Sequence, residues 1–337
     1  MSFLDSLLTS LEAIGRLLLV GLAGFMLARR GILGRESLTD LTRVMIDVIV
    51  PCALCTAMAK GFDHDVMTRA SSLLLAPPIY IPLSALLCLG LLRVWKVGDA
   101  LGDRSAAALS AIPNSFYVPY PLALDVAPPG REVEVTVLVG VGVLAVNPLQ
   151  WTLGSYLIAG RADGVGDWKR SLLHAVNGPL IGIVVGALLG LYSPAAVNAA
   201  RQLPEANPFL RTLFASMEMV GKAMAPMAMI ILGALIGQSA VVKSLSIRRF
   251  LPIAIIRFLL VPGALALLIW NGSLPITGLA CFTILLTAAS PPATNLALVA
   301  RRYDGDWETT SALLLATNLL AIVVLPIWMA VGLHLSR

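Results

Sequence analysis

Two stretches of this chain set prolines beside amides and hydroxyls inside otherwise apolar sequence. The first reads Ser110-Ala-Ile-Pro113-Asn114-Ser115-Phe116-Tyr117-Val118-Pro119-Tyr120-Pro121. The second reads Thr287-Ala-Ala-Ser290-Pro291-Pro292-Ala293-Thr294-Asn295. Proline removes a backbone donor and clashes with the preceding turn, so a helix does not run smoothly through either stretch. A helix broken inside a bilayer presents unpaired N–H groups and the positive end of its dipole. That end suits an anion, most simply a carboxylate. Pro113, Asn114, Ser115, Tyr117, Pro119, Pro291, Pro292, Thr294 and Asn295 are therefore the candidate substrate residues. The plainer alternative is a kink whose freed groups are satisfied by neighbouring side chains.

Ionisable residues in apolar runs form the second set. A charge at the bilayer centre costs about 2.5–3.5 kcal/mol on insertion scales, so it must be paired, hydrated or functional. Asp47 and Lys222 each stand four residues before a proline, Pro51 and Pro226. Asp47 pairs either with Lys222 or with nothing close in sequence. Lys222 has a second candidate partner in Glu218, at i,i+4 spacing. Asp47, Glu218 and Lys222 then either fix helix packing or couple transport to protons. Arg257, about two turns into its apolar run, either snorkels to a membrane face or pairs with a carboxylate or the substrate. Glu12 and Arg16 make an i,i+4 pair. Asn147, Gln150 and Asn318 are mid-run amides suited to interhelical hydrogen bonds.

Other chemistries lack their residues. No Walker lysine motif and no dinucleotide fingerprint occur. His64, His174 and His334 lie far apart, without zinc or haem spacing. Cys52, Cys55, Cys88 and Cys281 all sit in apolar runs, so free thiols are expected. No cofactor is implied; the driving force is a proton or sodium gradient or the membrane potential.

The elements that must carry these residues follow from composition. Of 337 residues, 58% are hydrophobic and 13% charged, about half the charge of a soluble domain. The mean hydropathy is +0.87. A soluble chain of this kind would expose large apolar patches. A net charge of +5 reflects cytoplasmic loops rather than a nucleic-acid surface. The expected class is an all-α polytopic membrane protein.

Apolar windows of about 19 residues predict ten spans: Leu11–Ala28, Leu38–Met58, Ser71–Leu92, Ala106–Leu124, Val133–Ile158, Leu173–Leu191, Thr212–Ile236, Leu251–Trp270, Leu274–Ala300 and Ser311–His334. Asp5 and Glu12 lead the first span and Arg29-Arg30 follow it, the pattern of a retained helix with its N-terminus outside. Loops 29–35, 93–104, 159–170, 238–249 and 301–302 hold fourteen Lys and Arg residues. The opposite side holds six: Lys60, Arg69, Arg131, Arg201, Arg211 and Arg337. Both termini are thus expected outside, in the cytoplasmic (inner) membrane. Gly182, Gly186 and Gly190 form a small-residue stripe for close helix approach.

The halves look related. Pro51 and Pro226 are 175 residues apart, as are Gly130 and Gly305; Leu122-Ala-Leu124 and Leu296-Ala-Leu298 are 174 apart. Each repeat holds five spans, so the second copy is inverted, the plan of many secondary transporters. The repeats are expected at 1–160 and 171–337, and both proline-rich stretches fall in the fourth span of their half.

These features together resemble the auxin efflux carrier family, which includes bacterial malonate-type carriers and plant auxin exporters. The resemblance rests on Ile49-Val50-Pro51, Pro113-Asn114-Ser115 through Pro119-Tyr120-Pro121, Ala225-Pro226 with Gly233-Ala-Leu, and Ser290-Pro-Pro-Ala-Thr-Asn295 with Ala300-Arg-Arg-Tyr303. It implies two inverted five-helix repeats with broken, crossing fourth and ninth helices. It also implies a scaffold of helices 1, 2, 6 and 7, a moving domain of helices 3–5 and 8–10, elevator-type motion, and a homodimer through the scaffold. By position, Asn114 matches the crossover asparagine and Val50 lines the substrate path. Phe116, Tyr117 and Tyr120 depart from the family's small crossover, and Asn177-Gly178-Pro179 replaces its Asn-Pro. With no long central loop, the chain resembles a compact bacterial member. The expected function is a secondary carrier, not an enzyme, exporting a small organic anion across a lipid bilayer. The alternative is a sodium-coupled organic-anion symporter of the bile-acid-transporter type.

Overall fold

The computed structural model describes residues 3–97, 100–159, 176–238, 245–274, 276–302 and 306–336. The loop at 160–170 with the boundary between the repeats, His174, Lys243 and Tyr303 lie outside the described residues, as do the side chains of Arg301 and Arg302. All regular structure among the described residues is helical, apart from one isolated antiparallel bridge.

Seven helices are long and apolar enough to cross a membrane: α1 (Phe3–Arg29), α2 (Glu36–Gly61), α3 (His64–Val94), α6 (Glu132–Ile158), α9 (Pro208–Gln238), α10 (Ile247–Trp270) and α13 (Trp307–Leu335). The sixth expected span corresponds to α7 (Gly178–Tyr192), which is followed by α8 (Pro194–Ala200) at a bend of 113°. The short α8 was not legible as a separate element, because Pro194 sits where an apolar run is already ending. The fourth and ninth expected spans are each split. The fourth gives α4 (Ala100–Ala111) and α5 (Pro119–Asp125), and the ninth gives α11 (Leu279–Ala289) and α12 (Asn295–Arg302).

Local chemistry sets the ends. Asn177 caps α7 by accepting from Leu180 N–H, Asn207 caps α9, and Asp306 caps α13, each satisfying donors that a helix start leaves free. Asp5 in the first turn of α1 and Arg29 in its last turn complement its dipole. Proline alone does not break a helix here. Pro77, Pro78 and Pro82 all lie inside α3, which continues through them.

Backbone approach fixes the pairing of α1, α2, α7 and α9. Side chains at Gly24 and Gly233 would strike the backbones of Ile230 and Gly21, so α1 and α9 cross at backbone contact. The stripe expected on α7 is used the same way. Gly182 faces the backbone of Pro51, Gly186 that of Cys55, and Gly190 that of Met58 and Phe62, on α2 and the residue that caps its end. The remaining helices surround the split pairs: α4 lies against α3 and α10, and α11 against α13 and α6.

Three helices contain a π-helical turn: Met45–Ile49 in α2, Gln150–Gly154 in α6 and Ile256–Leu260 in α10. Asp47, Gln150 and Arg257 lie in these turns, a kind of defect common at functional sites.

Candidate functional site

The proline-rich stretches meet. Pro113 and Pro292 form the antiparallel bridge. Asn114 N–H donates to Pro291 C=O at 2.8 Å, and Ala293 N–H donates to Ile112 C=O at 3.1 Å. Proline explains the register: Pro113, Pro291 and Pro292 have no N–H, so each chain supplies its donor from the next non-proline residue. The two breaks thus satisfy one another, in a two-stranded crossover between four half-helices. The simple-kink reading does not hold.

Asn114 is 2% exposed. Its Oδ1 accepts from Tyr117 N–H at 2.9 Å and from Phe116 N–H at 3.3 Å. Its Nδ2 is buried with no partner among the described residues. A buried amide donor left unmatched costs about 1–3 kcal/mol. Ser115 is buried beside it, and Tyr117 is half-buried. Pro119 opens α5 in the first helical turn, where a missing N–H costs nothing. Phe116 stacks on Tyr120 with ring centroids 5.4 Å apart, so two of the unexpected aromatics pack on each other. Thr294 and Asn295 are half-buried at the start of α12.

The opposite ends of the half-helices converge on Arg257. It does not snorkel: it is 1% exposed. Its Nε donates to Ser110 C=O at 3.1 Å, Nη2 to Ala111 C=O at 2.7 Å and Nη1 to Ser290 C=O at 3.4 Å. Local sequence gave no sign of this, because the three acceptors are main-chain atoms 33 to 147 residues away.

The other ionisable residues separate. Asp47 and Lys222 are both exposed and do not pair; both still have to meet lipid, water or another molecule. Lys222 Nζ lies 3.9 Å from Glu218 Oε1, the second expected partner. The tighter contact of Glu218 is with Lys60, at 2.5 Å, a partner 158 residues away that spacing does not reveal. Val50 is fully buried in the core, so its side chain does not face an open path in this conformation.

Of the amides expected to bond between helices, Asn147 does so, whereas Asn318 bonds within its own helix. Asn147 Oδ1 accepts from Trp151 Nε1 and from Asn177 Nδ2, joining α6 to the start of α7. Asn318 Nδ2 donates within α13 to Leu314 C=O. The expected Glu12–Arg16 pair forms at 3.4 Å, and Arg16 also reaches Asp125, at the end of α5, at 3.2 Å. The four cysteines are free. Among the described residues no group of three or more His, Cys, Asp or Glu is placed to hold a metal. Beside the crossover lies a cavity of about 460 Å³ between α1, α9 and α13, whose mainly apolar wall includes Val118, Leu122, Pro291 and Asn318.

The chain is similar to known proteins. A family model described as "Membrane transport protein" matches residues 9–167 and 165–329. Two Arabidopsis thaliana proteins are similar over about half of the chain. Protein PIN-LIKES 7 is 29% identical over 180 residues, covering 49% of this chain and 43% of that protein. Protein PIN-LIKES 5 is 28% identical over 185 residues, covering 51% of this chain and 46% of that protein. The matches thus span less than half the length of these relatives. A helical protein with paired broken helices, matched across nearly all its length, belongs to the membrane transport protein family of auxin efflux carriers.

Proposed function

We propose that this membrane transporter is a secondary carrier for a small organic anion, a mono- or dicarboxylate, working outward across the cytoplasmic membrane by an elevator-type motion. The single observation that supports this most is the free, buried Nδ2 of Asn114 at the crossover. An amide donor, next to helix starts at Pro119 and Asn295, favours a negatively charged oxygen. In this reading α1, α2, α7 and α9 form the scaffold, through which two copies associate. The helices around the crossover form the part that moves. Asp47, in its π-helical turn, is the coupling carboxylate, and the ion pairs of Glu218 with Lys60 and Lys222 hold the scaffold together. Both termini face outward.

Proteoliposomes tested with a panel of labelled mono- and dicarboxylates, at several pH values and with or without sodium, test the reading. Accumulation of at least one carboxylate above that in empty vesicles is expected. Binding without accumulation would make the protein a sensor, and no interaction with any carboxylate would remove the anion assignment.

A further inference from the structure

The cavity between α1, α9 and α13, about 460 Å³ in volume, has a wall with almost no chemistry for a polar solute. Its one polar lining side chain is Asn318, whose amide already donates to Leu314 C=O within α13. A held water needs roughly two to four polar partners, so water does not fill this space. A void left empty forfeits dispersion contacts along its whole wall, and in a bilayer the filling at hand is hydrocarbon. Gly15 helps to make the gap. α1 meets α9 at backbone contact through Gly24 and Gly233, whereas nothing lies within 4 Å of a Cβ added at Gly15. Leu18, Leu19 and Leu22 of α1 and Leu319 of α13 line the cavity and are also exposed. The cavity is therefore a groove that opens sideways to lipid.

Length and charge select the occupant. Along α1 the lining runs from Ile14 to Phe25, about 16 Å at the helical rise per residue. That is about half of a ~30 Å hydrocarbon core, the depth of one leaflet. One acyl chain fits this length, and a partner's membrane-spanning helix overruns it. At the Phe25 end, the Arg29 guanidinium lies over the Phe25 ring, 5.3 Å from its centroid, and Arg30 follows. Both arginines are exposed, and among the described residues no carboxylate pairs with either. At the other end, Arg16 is shared between Glu12 and Asp125, which leaves an excess of negative charge there. An anionic headgroup is thus drawn to the Arg29 end and repelled from the Arg16 end. We infer that the groove is a binding site for one acyl chain of an anionic phospholipid, with the phosphate at Arg29 and Arg30 and the chain laid along α1 toward Gly15. The site does not depend on the carrier reading.

The test uses the full-length protein in dioleoylphosphatidylcholine vesicles that contain a trace of one photoactivatable lipid. That lipid is phosphatidylglycerol or phosphatidylcholine with a diazirine on its acyl chain, and labelled residues are mapped by mass spectrometry. The exposed Ile79, Leu83 and Leu86 of α3 serve as ordinary lipid-facing surface. The ratio of phosphatidylglycerol to phosphatidylcholine labelling in segments 14–25 and 318–325 is expected to exceed that on α3 by about fivefold or more. Arg29→Gln with Arg30→Gln is expected to remove this preference. Gly15→Leu, which puts a side chain into the groove, is expected to lower labelling there severalfold with either lipid and to leave α3 labelling as it was. Equal ratios in the groove and on α3 would make the groove ordinary boundary surface and overturn the proposal. A preference that survives loss of both arginines would also overturn it, as would groove residues cross-linked to a second copy of the chain in place of lipid. The wild-type ratio and the arginine variant decide the matter even if Gly15→Leu does not fold. No readout involves an organic anion, so the lipid site and the transport reading fail separately.

Discussion

Asn114 commits its Oδ1 to the N–H groups of Phe116 and Tyr117 and leaves Nδ2 buried without a protein partner, so substitutions at this one position separate folding from ligand binding. Asn114→Asp keeps both acceptor contacts but replaces the free donor with a negative oxygen. It is expected to remain folded and to lose anion uptake by tenfold or more, given about 1.5–3 kcal/mol for a hydrogen bond to a charged group. Asn114→Ala loses the local turn as well and is expected to melt lower by about 1 kcal/mol in addition. Uptake by Asn114→Asp at the wild-type rate would place the substrate elsewhere. Asp47→Asn, on the same side of the argument, is expected to flatten the pH profile of uptake while leaving the melting midpoint in place. A pH profile that keeps its shape would make Asp47 structural. Asn114 was legible because it follows a proline in an apolar run. Arg257 was not, because hydropathy scores a charge against its neighbours in sequence and cannot see helix ends arriving from elsewhere. Glu218 was half legible: Lys222 is one turn away, whereas Lys60 comes from another helix.

Among the elements, packing of α7 on α2 depends on absent side chains. A Cβ at Gly186 would lie 2.5 Å from Cys55 O and 2.7 Å from Met58 Cβ, and neither backbone can yield without moving a helix. Gly186→Val is therefore expected to destabilise the protein by about 1–3 kcal/mol, seen as a midpoint lower by several degrees. Gly90, in the interior of α3, has nothing within 4 Å of its would-be Cβ. Gly90→Ala is expected to be neutral or to gain about 0.5–1 kcal/mol. Equal effects of the two changes would mean that α2 and α7 do not meet along this stripe. The four-residue spacing of Gly182, Gly186 and Gly190 announced a close contact but not its partner. Proline was the weaker guide. Runs of prolines predict a break, and the stretches at Pro113–Pro121 and Pro291–Pro292 do break, yet α3 absorbs three prolines without interruption. The two breaking stretches exchange backbone hydrogen bonds with each other, and that partner is invisible from either stretch alone.

At the scale of the whole molecule, one ion pair joins α1 to the end of α5. Arg16 reaches Asp125 at 3.2 Å and Glu12 at 3.4 Å, with 60% of the arginine side chain exposed. An exposed pair of this kind is worth about 0.2–1 kcal/mol. That is too little to decide whether the protein folds, but enough to change the ratio of two conformers by a factor of up to about five. In the proposed motion α1 belongs to the scaffold and α5 to the moving part, so the pair favours the conformer described here. Asp125→Asn is expected to leave the melting midpoint within about a degree and to lower the ratio of this conformer to its alternative by up to about fivefold. Probes at Met219→Cys on α9 and Val323→Cys on α13, both exposed, in a chain whose native cysteines are replaced, report the distance between the two parts. Asp125→Asn broadens or splits that distance distribution, and the charge exchange Arg16→Asp with Asp125→Arg brings it back toward wild type. A single distance, identical in all three proteins, would mean that α1 and α5 move as one body and that the elevator division between them is drawn in the wrong place.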